Sequence, residues 1–388
     1  MHRRTFLMSS GALIAAGDKV RTGVIGSGGR GQLLTSEFKE IGAEMAAVCD
    51  VYEPNLQAGL KKASTGARGY TDYRRLLEDK TLDAVIVSAP DHWHARMAID
   101  AVQAGKDVYI EKPMAHTIPE AFDIVTAVRR TKQIVQVGTQ RRSSELFQQA
   151  QKLATSGRLG DIRLVTSQWL NRQDSLSAAT LQGPLDWNAW LGPAPKREMD
   201  ATRFFNWYYY YDYSGGLLIG QAAHIVDAIQ WFMNSTQPLA VTCSGGRANL
   251  KGAEVPETAS IIMEFPENYM ATFTLGYKAM KYHTSQDQIM QFHGSKARMD
   301  MGREGYRIYP ETSTAVLTPE KEDMRIGSFV PATRDHIRNF LECVKTRQEP
   351  TAPVEGGLAT AIVLCMTLDS LRSGRRLRWN AQARRVES

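Results

Sequence analysis

The stretch Val20-Arg21-Thr22-Gly23-Val24-Ile25-Gly26-Ser27-Gly28-Gly29-Arg30-Gly31 decides the fold. Residues 20–25 read as a buried strand, and the G-x-G-x-x-G that follows opens a helical pattern over 29–40. In that context the glycines have separate duties: Gly26 permits a tight turn, Gly28 lets the backbone approach a pyrophosphate, and Gly31 lets the helix pack closely on the strand. Ser27, Gly29 and Arg30 complete the loop, and the helix N-terminus offers free N–H groups to phosphate. Asp50 closes the next β-branched run, 19 residues after Gly31. A carboxylate there accepts hydrogen bonds from the adenosine ribose hydroxyls and repels a 2′-phosphate, so NAD is expected over NADP. The competing reading is a glycine-rich turn in an unrelated α/β domain, with Asp50 a solvated strand end.

Outward from this turn, short apolar runs at 44–49, 82–88, 108–110 and 134–137 alternate with helical patterns at 54–64, 72–79, 92–104 and 119–131. Such alternation predicts a doubly wound parallel sheet with crossover helices, a Rossmann-type α/β domain over 18–140. Beyond Gly138 the pattern changes to a helix at 144–155 and strand-like runs at 162–170, 260–265, 271–275 and 288–292. Little helical punctuation separates them, so residues 141–388 are expected to form an α+β domain on an antiparallel sheet. Helices at 333–345 and 357–373 are expected to cover one face of that sheet.

Composition narrows the function. Of 388 residues, 43% are hydrophobic and 23% charged, as in soluble two-domain proteins. The 47 basic and 41 acidic residues are interspersed. No basic arm suggests a nucleic-acid partner. Cys49, Cys243, Cys343 and Cys365 are too scattered for a disulfide framework or a C-x-x-C metal site, and read as buried free thiols. His2-Arg3-Arg4-Thr5-Phe6-Leu7, followed by a small apolar run to Gly17, looks like a twin-arginine export signal over 1–17. A periplasmic or otherwise exported protein is therefore expected, with a cytoplasmic protein carrying an ordinary basic N-terminus as the alternative. The run is shorter than the ~20 residues needed to span a bilayer, so no permanent anchor is expected.

Ser88-Ala89-Pro90-Asp91-His92-Trp93-His94 stands at a strand's carboxyl end, where ligands bind in open parallel sheets. Ser88, Pro90 and His92 are thus placed at the cofactor crevice. His92 and His94 lack a partner at metal-ligand spacing, so no metal is expected. After the following strand comes Glu111-Lys112-Pro113. This motif, with the glycine turn and Asp50, resembles the Gfo/Idh/MocA oxidoreductases. The resemblance continues through Gly138-Thr139-Gln140-Arg141, Asp186-Trp187-Asn188-Ala189-Trp190-Leu191-Gly192-Pro193, Ser214-Gly215-Gly216 and His224-Ile225-Val226-Asp227, most of the chain.

The resemblance implies a large open antiparallel sheet used for homo-oligomerisation, and NAD-dependent chemistry on sugars, inositols or related polyols. It maps the family's catalytic lysine and histidine onto Lys112 and His224, with Glu111 beside the cofactor and Gln140 and Arg141 at the substrate. The residue chemistry agrees: a neutral imidazole can take the hydroxyl proton as hydride leaves, and an ammonium can hold the developing alkoxide or carbonyl oxygen. Asp227, one helical turn beyond His224, is a candidate to orient that imidazole or bind substrate hydroxyls. The competing readings are a surface lysine and a satisfied core histidine.

One departure stands out. Many family dehydrogenases carry an aspartate four residues before the histidine; here that position is Gly220, followed by Gln221. Upstream, Phe204-Phe205-Asn206-Trp207-Tyr208-Tyr209-Tyr210-Tyr211-Asp212-Tyr213 packs eight aromatics into ten residues. Most suit core and subunit packing; Tyr209 and Tyr213 are candidates to meet a sugar ring. Three functions stay open: a sugar or glycoside oxidoreductase, an NAD-dependent glycoside hydrolase resembling glycoside hydrolase family 109 that works by transient oxidation and elimination, and a non-catalytic NAD or sugar sensor. Because a twin-arginine signal moves folded proteins to where nicotinamide is not supplied, NAD is expected to be tightly bound.

Overall fold

Buried on both faces, the central strands of the first sheet read as continuous apolar runs, as a parallel sheet requires. A computed structural model of the chain describes residues 19–387 apart from 249, 313–315, 326 and 328; the segment 1–17, with Arg3 and Arg4, lies outside the described residues. The first sheet alternates β1 (Arg21–Ile25), α1 (Gly29–Ile41), β2 (Glu44–Cys49), α2 (Glu53–Lys62), β3 (Arg68–Tyr70), α3 (Tyr73–Leu77), β4 (Ala84–Val87), α4 (Asp91–Gln103), β5 (Asp107–Ile110), α5 (Ile118–Thr131) and β6 (Val135–Val137). Its order is β3-β2-β1-β4-β5-β6, all parallel. The order reverses between β1 and β4, which opens a crevice beyond their carboxyl ends. Only β3 was not expected: it is a three-residue edge strand with Gly69 at its centre and no apolar run to announce it.

The second domain contains α6 (Glu145–Thr155), β7 (Ile162–Leu170), the short α7 (Trp187–Leu191) and α8 (Ala201–Phe205), and α9 (Gly216–Phe232). It continues with β8 (Ala240–Gly245), β9 (Thr258–Phe265), β10 (Tyr269–Gly276), β11 (Gln288–Gly294), β12 (Ala297–Gly302), β13 (Gly305–Pro310), β14 (Lys321–Met324), α10 (Phe329–Thr346), α11 (Val354–Ser373), β15 (Leu377–Asn380) and β16 (Arg385–Glu387). The ten-stranded sheet has the order β14-β13-β12-β11-β7-β10-β9-β8-β15-β16. It is open, and antiparallel except that β7 and β10 run parallel, pairing Met270 with Leu164 through Gly276 with Leu170. The expected antiparallel sheet is corrected at that pair. The chain leaves β7, crosses through α9 and returns into the β8–β9–β10 meander, and a helical crossover of this kind produces parallel neighbours. Helix α9 is buried along almost its whole length under this sheet. The opposite face is open, with Ile262 and Met270 about 40% exposed among polar neighbours.

The two late helices part company. Helix α11 packs on α9, β8 and α5, joining the domains, with Ile362, Val363 and Leu364 buried. It is long and apolar enough to cross a membrane by composition, but most of it is covered by protein. Helix α10 does not cover the second sheet. Its apolar stripe of Ile337, Phe340, Leu341 and Val344 packs into the first domain, where Phe340 meets Phe38 at 6.0 Å and Tyr109 at 5.8 Å. The aromatic rings of α1 and β5 would otherwise be open on that side.

Candidate active site

The β1–α1 turn is shaped by what its glycines leave room for. Gly26 has φ +87°, and a Cβ there would lie 2.5 Å from the Ala89 nitrogen. At Gly31 a Cβ would run into the Gly26 carbonyl, which also accepts a 2.7 Å bond from Ser88 Oγ. By contrast, no atom lies nearer than 4.0 Å to a Cβ at Gly28, and none within 4 Å at Gly29. The first two hold strand and helix together, and the second two leave an open cradle at the N-terminus of α1, which has no side-chain cap. That cradle fits a pyrophosphate.

Asp50 stands at the end of β2, with Oδ2 accepting from the Ser27 N–H at 2.7 Å and Oδ1 from the Tyr52 N–H at 2.9 Å. Burial pushes its carboxyl up to about 6 against those hydrogen bonds. The cradle, Asp50, Ser88 and Pro90 line a cavity of about 660 Å³. Its far wall belongs to the second domain, including Asn188, Trp190, Phe205 and Trp207. This strap is fastened to the end of β2: Asp186 N–H donates to Val51 O at 3.0 Å, Gln182 N–H donates to Tyr52 Oη at 2.8 Å, and Tyr52 packs edge-on against Phe204 at 5.1 Å.

Arg30 and Glu111, both expected at the cofactor, are joined to each other, Arg30 Nε donating to Glu111 Oε1 at 2.7 Å. Glu111 Oε2 also accepts from the Lys112 N–H at 3.2 Å. Lys112 then extends to α9, where Nζ donates to Gly220 O at 3.3 Å. One turn further along α9, His224 is 9% exposed, its Nδ1 without a hydrogen-bond partner among the described residues, and its ring tilted against Trp169 at 6.1 Å. Burial first, and then the charges of Lys112, Arg141, Arg30 and Arg303, hold His224 well below the usual imidazole range. Burial lowers Lys112 as well, opposed by Glu111 and Asp91. The pair is thus a neutral imidazole, free to accept a proton, and a lysine amine able to donate a hydrogen bond to an oxygen.

Gln140 follows β6 in a short turn, 6% exposed, with its Oε1 unpartnered. Arg141 is buried, bonded through Nη2 to Gln288 Oε1, and lies over Phe147 at 5.3 Å and Trp169 at 5.7 Å. Burial, followed by Arg303, brings it down to about 9. Trp169 therefore connects His224 and Arg141, although nothing in its strand pattern marks it as a site residue.

Three expectations change. Asp227 is spent on Arg142, whose Nε donates to both its oxygens at 2.9 and 3.0 Å, so it does not orient His224. His92 turns away from the cavity; its Nε2 faces Trp190 O at 3.2 Å and burial pushes it down to about 3. Tyr213 is fully buried against Trp190 at 4.7 Å and His92 at 5.2 Å, part of the aromatic packing behind the cavity wall. Tyr209 is half-buried, and its carbonyl accepts the Glu254 and Val255 N–H groups. Both ring nitrogens of His94 face backbone carbonyls, of Pro113 and Ala89. Among the described residues no group of three His, Cys, Asp or Glu could hold a metal.

Besides Trp169, two residues escaped the sequence reading. Asp91, the first residue of α4, is 3% exposed and accepts from Ser214 Oγ at 2.5 Å. Tyr208 reaches α9 at Gly220, where a Cβ would overlap its hydroxyl. Asp91 had a signal, since it sits in the Pro90–His92 turn; Tyr208 is indistinguishable by pattern from the tyrosines around it.

Comparison with known proteins places these features. Residues 20–139 match the oxidoreductase family with an NAD-binding Rossmann fold, and residues 147–300 match the GFO/IDH/MocA C-terminal domain. Inositol 2-dehydrogenase of Salmonella typhimurium is 32% identical over 155 residues, 39% of this chain and 46% of that protein. A glycosyl hydrolase family 109 protein of Shewanella baltica is 36% identical over 124 residues, 30% of this chain and 27% of that one. The chain thus spans about half or less of the length of these relatives. Across 94% of this chain and 99% of the other, the fold matches the WlbA dehydrogenase from Bordetella pertussis, solved with NADH and UDP-GlcNAcA, with a TM-score of 0.70 and 20% identity. With its glycine cradle, Glu111-Lys112-Pro113 and the open second sheet in place, the chain belongs to the Gfo/Idh/MocA oxidoreductases and carries their NAD-binding Rossmann domain.

Proposed function

We propose that the protein oxidises a secondary hydroxyl of a sugar, polyol or glycoside, with Lys112 and His224 as the catalytic residues. The observation that carries this reading is their convergence on one face of α9: Lys112 Nζ bonds Gly220 O at 3.3 Å and His224 stands one turn away. Bound NAD supplies the hydride acceptor. His224 takes the hydroxyl proton, Lys112 holds the oxygen on which charge develops, and Gln140 and Arg141 border the substrate. Inositol 2-dehydrogenase among the relatives supports a polyol or sugar as substrate.

The strap from Gln182 to Trp207 supports retention of the cofactor between turnovers, because it walls the cavity and is bonded to Tyr52 and Val51. Arg3 and Arg4 ahead of Phe6-Leu7 support export of the folded protein by the twin-arginine route. The open face around Ile262 and Met270 supports self-association through the second sheet.

Purified protein incubated with a panel of free sugars and aryl glycosides, followed for NADH absorbance and aglycone release, tests the reading. Reduction of NAD by a sugar is the expected result. Aglycone release without net NADH replaces it with glycoside hydrolysis by a redox-neutral cycle, and the absence of both leaves a binding protein.

A further inference from the structure

Two turns meet beside Lys112. Strands β4 and β5 are neighbours in the first sheet, pairing Val87 with Ile110, so the turn that opens α4 at Asp91 lies next to the turn that carries Lys112 and Pro113. His94 ties the two together, with Nδ1 2.7 Å from Pro113 O and Nε2 2.8 Å from Ala89 O. A carbonyl oxygen only accepts, so this imidazole donates from both nitrogens and carries a positive charge. Asp91, 3% exposed, faces that charge, and its Oδ2 accepts from Ser214 Oγ at 2.5 Å, just ahead of α9. A buried carboxylate thus joins the lysine turn to the helix whose Gly220 carbonyl accepts from Lys112 Nζ.

We infer that Asp91 is a positioning residue for Lys112, its carboxylate supplying the counter-charge that holds the amine against α9. The inference rests on the proposed role of Lys112 in sugar oxidation. The Lys112 amine is faced by the carboxylates of Glu111 and Asp91. Glu111 is already bonded to Arg30 Nε at 2.7 Å, and its other oxygen accepts the Lys112 backbone N–H. Asp91 bonds the neutral Ser214 hydroxyl, and its charge stays available to His94 and Lys112. Burial pushes the Asp91 carboxyl up, opposed first by the charge of His94, then by the Ser214 hydroxyl and the charges of Lys112 and His116. Burial lowers Lys112 in turn, opposed by Glu111 and then Asp91, with Arg30 adding to the fall. Tyr208, which also faces Asp91, is held well above the usual tyrosine range by burial and stays neutral. Asp91 and Lys112 therefore each favour the ionised form of the other, and without Asp91 the charges of His94 and Lys112 would face each other.

The test reads Lys112 directly. Trace labelling of the folded protein with acetic anhydride at a series of pH values, followed by mass spectrometry of the Lys112 peptide, gives the midpoint at which the amine loses its proton. Lys112 is half-buried, so the reagent reaches it. Asp91→Asn keeps the shape of the side chain and should move the midpoint down by about one pH unit or more. The basic limb of kcat/KM should move with it while NAD affinity stays unchanged, and Asp91→Glu should restore most of the wild-type midpoint. If Asp91→Asn fails to fold, Ser214→Ala decides: loss of the hydroxyl weakens the charge on Asp91 and should lower the midpoint in the same direction by less. A Lys112 midpoint that stays in place in the folded variant overturns the inference, even where kcat falls. A midpoint that moves in a protein that never reduces NAD refutes the proposed oxidation and leaves the role of Asp91 standing.

Discussion

Arg30 Nε lies 2.7 Å from Glu111 Oε1, so the phosphate loop after β1 and the lysine-bearing turn after β5 share one ion pair. Glu111 is buried, and its second oxygen holds the Lys112 N–H. The pair therefore sets the distance between the glycine cradle and Lys112. Glu111→Gln should lower stability by about 2–3 kcal/mol in urea unfolding, because Arg30 loses its counter-charge in a largely covered site. It should also lower kcat more than NAD affinity; unchanged kcat would mean that the pair is structural alone.

Lys112→Ala and His224→Ala should each fold, retain NAD and lose turnover by ~10²-fold or more. Wild-type turnover in either variant removes that residue from the chemistry.

The pH profile follows from the burial of His224. Its proton affinity is held well below the ordinary imidazole value, so the neutral form persists to lower pH than for a free histidine. Activity is lost only as pH falls through that depressed pKa, and the acid limb of kcat/KM should lie below the ~6.5 of an unperturbed histidine. An acid limb at or above that value, unchanged in His224→Gln, would assign the limb to another group.

Asp50 sets a second pH dependence, in binding rather than catalysis. Its carboxyl titrates at about 6, and ribose hydroxyls donate to the ionised form. NAD affinity should therefore weaken as pH falls through about 6 and level off above it. Asp50→Ala should weaken NAD by ~1–3 kcal/mol, narrow its advantage over NADP and abolish this pH step. Calorimetric titration across that range measures all three.

Tyr52 tests retention of the cofactor. Desalted wild-type protein should still carry NAD(H), read by absorbance after denaturation, and should turn over without added nucleotide. Tyr52→Ala removes both the Gln182 bond and the Phe204 contact and should release the nucleotide on desalting. Cofactor-free wild-type protein would refute retention.

The first domain was legible because its signals are local. A glycine turn between a strand and a helix, Asp50 at the next strand end and Glu111-Lys112-Pro113 each declare their neighbours within a few residues. The crossing helix that makes β7 and β10 parallel was hidden, since an apolar helix such as α9 does not reveal which strands it links. Helix α10 was assigned to the wrong sheet for a related reason: an apolar stripe states that a helix is covered, not by what. In the site, Asp227 misled because i,i+3 proximity to His224 is only along the helix, while its partner Arg142 is 85 residues away in sequence. Tyr208 was invisible because its contact with Gly220 is a relation between two segments that no spacing rule encodes.

The return of α10 to the first domain bears on how the chain is made. Phe38 and Tyr109 emerge from the ribosome early, yet Phe340, which closes over both, is synthesised more than two hundred residues later. A nucleotide-binding half synthesised without α10 leaves these rings uncovered on that side, an aromatic surface of the kind that invites chaperones. The closing of Phe340 over Phe38 and Tyr109 thus places the last wall of the nucleotide-binding sheet near the end of synthesis.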